Sequence, residues 1–417
     1  MLNILRGRPD LVVILVGRMV STFGDGVALV ALTLRLQADG APPYQVGVML
    51  AAGAIPLLLL ARPVGRLVDS HDSRRLLVAG GLLEVAATVP LVFLHSIVPI
   101  AALVAVLAGV GLLTGATWSA LVPRVVGEDH LAEAVSAQAS LNVLVLVAAP
   151  AVGGLLAGAF GTGVPITVDA ATFVVVTVAA ALVRTRRTPE RATSDEPDAL
   201  RGGLAILRSD RVLAPLITGV ALVVLLVGMV DVVTVYLVRD SLHAGGVWYG
   251  VTEASWMAGM VAGSVVAGLA RTPTRQIRAT IAGAALACAG VACFALAPTA
   301  GVLVPLAVLG GLGNGAAGTC LSTLLMTRTA DSARGRVSAT ANAIFGGASG
   351  ASLLLGGAVA VVLSPRQIYA VAGLLGLVAA VVLAVQHTRR HDPESSGSRR
   401  TSPAPDAPRG LDPSRAG

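Results

Sequence analysis

The sequence predicts an all-α membrane protein of twelve transmembrane helices in two six-helix halves, with both termini cytoplasmic, and three observations predict it. Of its 417 residues, 55% are hydrophobic and 13% charged. That leaves too little polar surface to cover a soluble fold of this size, so lipid must be the main solvent. Apolar runs of about twenty residues, the length that crosses the hydrocarbon core, recur along the whole chain. The arginines between them fall into alternate loops.

In chain order the apolar runs cover 11–36, 44–64, 76–95, 97–122, 135–160, 164–184, 212–238, 247–270, 277–297, 300–326, 336–363 and 366–386. Arg6 and Arg8 precede the first run, but no small-residue cleavage signature follows it, so it reads as a retained span rather than a signal peptide. A long polar stretch rich in Arg, Pro, Asp and Glu separates the sixth run from the seventh. The expected organisation is an N-terminal half at 1–184, a cytoplasmic central loop at 185–211 and a C-terminal half at 212–386. The tail at 387–417, dense in Ser, Pro, Arg and Gly, cannot bury a core and is expected to be disordered. With the N-terminus inside, cytoplasmic segments hold 26 arginines, while outer loops hold only Arg35, Arg239 and Arg366, and Arg18 lies within the first span. The bias is the positive-inside signal that sets orientation.

Composition also excludes function classes. The net charge of +7 comes from arginines gathered in short loops and not from a basic face, so no nucleic-acid partner is expected. All 30 basic residues are arginine. Without lysine there is no Gly-x-x-x-x-Gly-Lys phosphate loop, and ATP-driven transport by this chain alone is excluded. No nucleophile with a paired base stands out, so an enzyme is not expected. Cys288, Cys293 and Cys320 lie in apolar runs, the ordinary place of a small hydrophobe, and call for no disulfide, metal or cofactor.

An internal repeat is visible at an offset of 202 residues. Val135-Ser136-Ala137-x-Ala139 recurs as Val337-Ser338-Ala339-x-Ala341, and Asp129 and Asp331 each lie six residues upstream of the valine. Spans 4 and 5 therefore resemble spans 10 and 11, the pattern of two parallel six-helix halves.

The loop between spans 2 and 3 reads Gly65-Arg66-Leu67-Val68-Asp69-Ser70-His71-Asp72-Ser73-Arg74-Arg75. It resembles the signature loop of the major facilitator superfamily in Gly65, Leu67, Asp69, Asp72, Arg74 and Arg75, with Ser70 and Ser73 at two positions that are commonly basic. The resemblance implies a conformational latch. Gly65 would let two helices pack closely, and Asp69 would face the start of span 11 near Arg334, Arg336 and Ser338 and hold the cytoplasmic side shut. Ala149-Pro150-x-x-Gly153-Gly154 in span 5 resembles the helix-bend motif of antiporter members, with alanine in the first glycine position. Ser21-x-x-Gly24-Asp25, Leu121-Val122-Pro123-Arg124, Asp169-Ala-Ala-Thr172-Phe173 and Arg334-Gly335-Arg336 resemble the macrolide- and siderophore-exporter (enterobactin-type) branch. One departure is that span 4 lacks the embedded arginine of many proton-driven drug antiporters.

Ionisable groups at membrane depth are costly and default to functional candidates. Asp25 and Glu84 fall near the middle of their spans, and Arg18, Asp169, Asp231 and Glu253 lie off centre. Arg18 and Asp25 are seven residues, two turns, apart on one face of span 1 and are expected to line one cavity. A carboxyl group removed from water holds its proton more firmly, the basis for expecting a proton as coupling ion. Trp118, Phe173, Tyr236 and Trp256 are possible cavity or interface aromatics, whereas Trp248 and Tyr249 open span 8 and read as membrane-belt anchors. The resulting expectation is a monomeric secondary transporter of a bacterial cytoplasmic (inner) membrane. It would export a small hydrophobic or amphipathic molecule, drug- or siderophore-like, by alternating access, with import on the same fold or a non-transporting sensor or scaffold as alternatives.

Overall fold

A computed structural model describes residues 9–183, 185 and 199–391, and the helices account for nearly all of them. The first half contains α1 (Pro9–Ala38), α2 (Pro43–Leu59), α3 (Ala61–Ser70), α4 (Ser73–Leu91), α5 (Ile97–Val126), α6 (Leu131–Phe160) and α7 (Gly163–Leu182). After α8 (Ala199–Ser209) the second half contains α9 (Leu213–Gly228), a broken stretch to Ser241, α10 (Gly246–Ala267), α11 (Pro273–Phe294), α12 (Ala300–Arg328), α13 (Arg334–Val359) and α14 (Pro365–His391).

Local chemistry sets several boundaries. The Asp72 side chain accepts a 3.0 Å bond from the Arg75 amide and caps the start of α4, and Thr272 does the same for the Arg275 amide at the start of α11, where Pro273 follows directly. Gly127 and Gly161, with φ of 74° and 82°, end α5 and α6 in a conformation that L side chains avoid. The repeat has a structural counterpart. Glu128–His130 before α6 and Asp331–Ala333 before α13 are both single 3₁₀ turns.

Helix occupies each of the twelve apolar runs, but among the described residues nine helices are long and apolar enough to cross a membrane, or ten if the bent pair α2 and α3 counts as one. The others fall short for chemical reasons: α4 carries Arg74, Arg75 and Glu84, and α10 carries Glu253 among indoles, a phenol and glycines. Large apolar side chains such as Phe93, Leu182, Val265, Leu296 and Val362 are more than 70% exposed. Only lipid accommodates such an outer surface.

Two further expectations are corrected, and within the stretch expected as a central loop α8 forms and packs on α13. Arg35 is not a loop residue. It is buried in the last turn of α1, donating from Nε to Thr162 Oγ1 (3.1 Å) and from a terminal nitrogen to the carbonyls of Leu91 (2.6 Å) and Val92 (3.1 Å). It thus satisfies carbonyls at the C-terminal end of α4, where a cation complements the helix dipole. Span 7 is not one regular helix, since a 3₁₀ turn (Met229–Val232), a single α turn and a π-helical turn (Leu237–Ser241) follow α9. The tail beyond 391 lies outside the described residues.

Among the described residues the two halves share a hydrophobic core at one end only. There, one core combines Leu34, Val46 and Met49 of the first half with Val235, Leu303 and Leu353 of the second. At the opposite end are two separate cores, one around Leu11, Trp118 and Val126 and the other around Leu213, Leu324 and Val337. At two places across the sealed end the contact is backbone against backbone. A Cβ on Gly154 of α6 would lie 2.8 Å from Gly250 Cα of α10, and one on Gly357 of α13 would lie 2.9 Å from Tyr44 Cα of α2.

Candidate functional site

The parted halves leave a cavity of about 490 Å³ whose wall includes Asp25, Pro150, Asp231, Tyr249, Glu253 and Leu353, from both halves. A second lobe of about 400 Å³ shares Asp231, Glu253, Met257 and Ser349 with the first and extends into the C-terminal half, past Trp256, Phe294 and Tyr369. Asp25 and Asp231 are solvent-accessible and Glu253 is half-buried. Three carboxylates therefore face one space.

Of the six expected intramembrane charges, the five carboxyl groups divide in two. Asp231 and Glu253 join Asp25 at the cavity. Glu84 and Asp169 instead are 3% and 2% exposed, packed within the first half. Thr114 Oγ1 of α5 donates a 3.0 Å hydrogen bond to Glu84 Oε1, and Asp169 lies against Gly24 of α1, with Thr172 beside it. Asp25, Glu84 and Asp169 are close enough to sense one another's charge. Only Asp25 of the three opens to the cavity.

Arg18 is not among the cavity-lining residues. One of its terminal nitrogens donates to the Gly115 carbonyl (3.1 Å) and to Ser119 Oγ (2.6 Å), both on α5. Span 4 carries no arginine of its own in the membrane, and span 1 delivers one onto it.

The loop motif has a local role in this conformation. Asp72 caps α4, and Arg74 donates to the Ala181 carbonyl near the end of α7. The close packing expected at Gly65 is absent, since a Cβ there would meet nothing within 4 Å. α3, which carries Asp69, packs on α5. Arg334 donates to the Met326 carbonyl (2.9 Å) and pairs with Asp331 (2.8 Å), while Arg336 lies against Gly202 of α8. The span 5 motif, by contrast, lies at the seam. A Cβ on Gly153 would come within 2.9 Å of the Val27 carbonyl of α1, and Gly154 meets Gly250 across the halves.

Sequence reasoning missed two features. Tyr249, read as a belt anchor, is 6% exposed and lines the cavity. The spacing of Tyr249, Glu253, Met257 and Met260 places them on one face of α10, a signal that reading the helix by its ends overlooked. The second is a polar network at the sealed end. Gln37 Nε2 donates to Asp240 Oδ1 (2.7 Å), Arg239 Nε donates to Gln37 Oε1 (3.3 Å), and the Tyr236 hydroxyl donates to the Ala41 carbonyl (2.5 Å).

Two groups of membrane helices around a cavity that is sealed at one end and parted at the other form the framework of a carrier. The family model described as Major Facilitator Superfamily matches residues 14–352 and 280–413. The chain belongs to the Major Facilitator Superfamily and is a multi-pass membrane protein. It is 24% identical to Macrolide efflux protein A of Streptococcus pyogenes over 262 residues, 61% of this chain and 64% of that protein. With Macrolide efflux protein A of Enterococcus faecalis it shares 25% identity over 226 residues, 52% of this chain and 70% of that protein. The chain thus spans somewhat under two thirds of the Streptococcus relative. In fold it is similar to the nucleoside transporter NupG (TM-score 0.69, 11% identity, 91% of this chain and 99% of that one). It is likewise similar to a bacterial homologue of the iron transporter ferroportin in an inward-facing state (TM-score 0.66, 17% identity, 91% and 98%).

Proposed function

We propose that this protein exports a small hydrophobic or amphipathic molecule, of the macrolide or siderophore kind, from the bacterial cytoplasm by alternating access in exchange for protons. The observation that carries this reading is the cavity between halves that share one core at one end and keep separate cores at the other. Twelve spans with both termini cytoplasmic would place the parted, arginine-rich end inside. The conformation described is then inward-facing, ready to take substrate from the cytoplasm. The macrolide-efflux relatives favour export over import.

Asp25 is the proposed proton carrier, since it opens to the cavity while Glu84 and Asp169 are buried within the first half. Arg18, held by α5, would act as a fixed positive charge at this side of the first half and not as a partner that Asp25 releases. In the alternate state Asp69 would approach the start of α13 and close the parted end. The test is export or resistance in a deletion strain, restored by the intact gene. Asp25→Asn should insert normally yet lose pH-driven export, and Asp69→Asn should slow turnover. Normal export by Asp25→Asn with unchanged pH dependence would refute the coupling role, and uptake in place of export in oriented vesicles would refute the direction.

A further inference from the structure

The cavity has a polarity that bears on the substrate. Its described walls hold three carboxylates and neither arginine nor histidine, and the chain has no lysine. The two lobes join at Asp231 and Glu253, and the larger part of the second lobe is walled by the C-terminal half alone. Its aromatic surfaces are held in place. Phe294 stacks on Tyr369 with ring centroids 5.2 Å apart, the Tyr369 hydroxyl lies 2.8 Å from Thr234 Oγ1, and Trp256 lies directly over Gly310. Asp231 sits on the 3₁₀ turn of span 7, an interruption that re-aims side chains and recurs at functional sites.

Carboxylates without an internal counter-cation, at the mouth of an apolar and aromatic lobe, attract a cation and repel an anion in surroundings of low polarity. Resting on the transporter reading above, we propose that the substrate is an organic cation whose charged group sits between Asp231 and Glu253 and whose apolar body fills the lobe inside the C-terminal half. Recognition is then one-sided: the second half holds the substrate, and Asp25 with its buried neighbours in the first half serves coupling. The lobe's volume lies in the range of sites for drug-sized ligands.

The experiment is calorimetric titration of the purified full-length protein with two probes of one shape and opposite charge, tetraphenylphosphonium and tetraphenylborate. The phosphonium should bind at least about tenfold tighter than the borate, a difference of about 1.4 kcal/mol. This comparison needs no variant, so a folding defect cannot obscure it. Asp231→Asn and Glu253→Gln should each weaken phosphonium binding about tenfold or more, Asp25→Asn should cost less than either, and Asp39→Asn, remote from the cavity, should leave affinity within about twofold. Absent phosphonium binding, borate binding as tight as phosphonium, indifference to Asp231→Asn and Glu253→Gln, or an equal loss from Asp25→Asn would each overturn the proposal. Export of a neutral or anionic compound in preference to cations would overturn it while leaving the transporter reading intact. Phosphonium binding at Asp231 and Glu253 in a protein that exports nothing would support the site and defeat the export reading.

Discussion

Replacing Gly154 with alanine tests whether the α6–α10 contact holds the sealed end together. The added methyl group would lie 2.8 Å from Gly250 Cα and 3.0 Å from its nitrogen. Carbon atoms prefer about 3.5–4.0 Å, so the helices must part by roughly 1 Å, and because the opposing atoms are backbone no rotamer can relieve the clash. Overpacking of this kind costs about 1–3 kcal/mol. If the cost falls on the sealed state alone, it shifts the sealed-to-parted ratio at this end by roughly 5- to 150-fold. The readout is cross-linking of Gln37→Cys to Asp240→Cys, whose native side chains meet at 2.7 Å, by a short bifunctional thiol reagent. The background would have Cys288, Cys293 and Cys320 replaced by serine. Gly154→Ala should lower the cross-linked fraction and slow export. An unchanged fraction with unchanged export would refute the argument that backbone contact at this glycine sets the seal.

Two further predictions concern stability. Asp210, just ahead of α9, accepts from the amides of Val212 (2.7 Å) and Leu213 (3.0 Å) and pairs with Arg328 at 3.3 Å. Its burial pushes the carboxyl pKa up, but the amides of Leu213 and Val212 and the Arg328 guanidinium together outweigh that and hold it below its ordinary value. A depressed pKa means stabilisation that is present at neutral pH and lost as pH falls through the native value. Asp210→Ala should therefore cost about 1 kcal/mol near pH 7 by thermal unfolding, and the difference from the parent should shrink below about pH 4. Arg35→Lys keeps the charge but cannot span Thr162 and the carbonyls of Leu91 and Val92 together. It should lower stability by about 1.5–3 kcal/mol, and an unaltered melting temperature would show that these bonds do not matter.

Much of the fold was legible because the signal for a membrane helix is a one-dimensional one, twenty apolar residues in a row. Helix positions follow from composition and spacing, whereas the small-residue motif at Gly153 and Gly154 was legible through its resemblance to a family pattern. The break in span 7 was hidden because Val230, Val232, Val233 and Val235 continue the apolar run whatever the local hydrogen-bond register. Which carboxylates face the cavity depends on helix rotation, so Asp25 and Glu84, both read as mid-span charges, ended in different surroundings. Arg35 illustrates a related limit. A charge near a helix end counts toward topology, yet its partners come from the end of α4 and from the residue just ahead of α7, 56 and 127 residues away. The loop motif around Asp69 was legible as a pattern through its resemblance to a family signature, and the role that the resemblance implies is a matter of conformational change.

The two ends of the molecule differ in the forces that can close them. The sealed end joins through an apolar core with a small polar rim, whereas α3 and the starts of α4 and α13, the elements of the proposed latch, carry Arg66, Asp69, Arg75, Arg334 and Arg336. Dissolved salt shortens the reach of charge–charge attraction and leaves apolar association intact or strengthened. In the latch proposed above, both the attraction of Asp69 for the start of α13 and the repulsion among Arg66, Arg75, Arg334 and Arg336 would be screened, so ionic strength would act on closure at that end and leave the apolar seal at the other largely untouched.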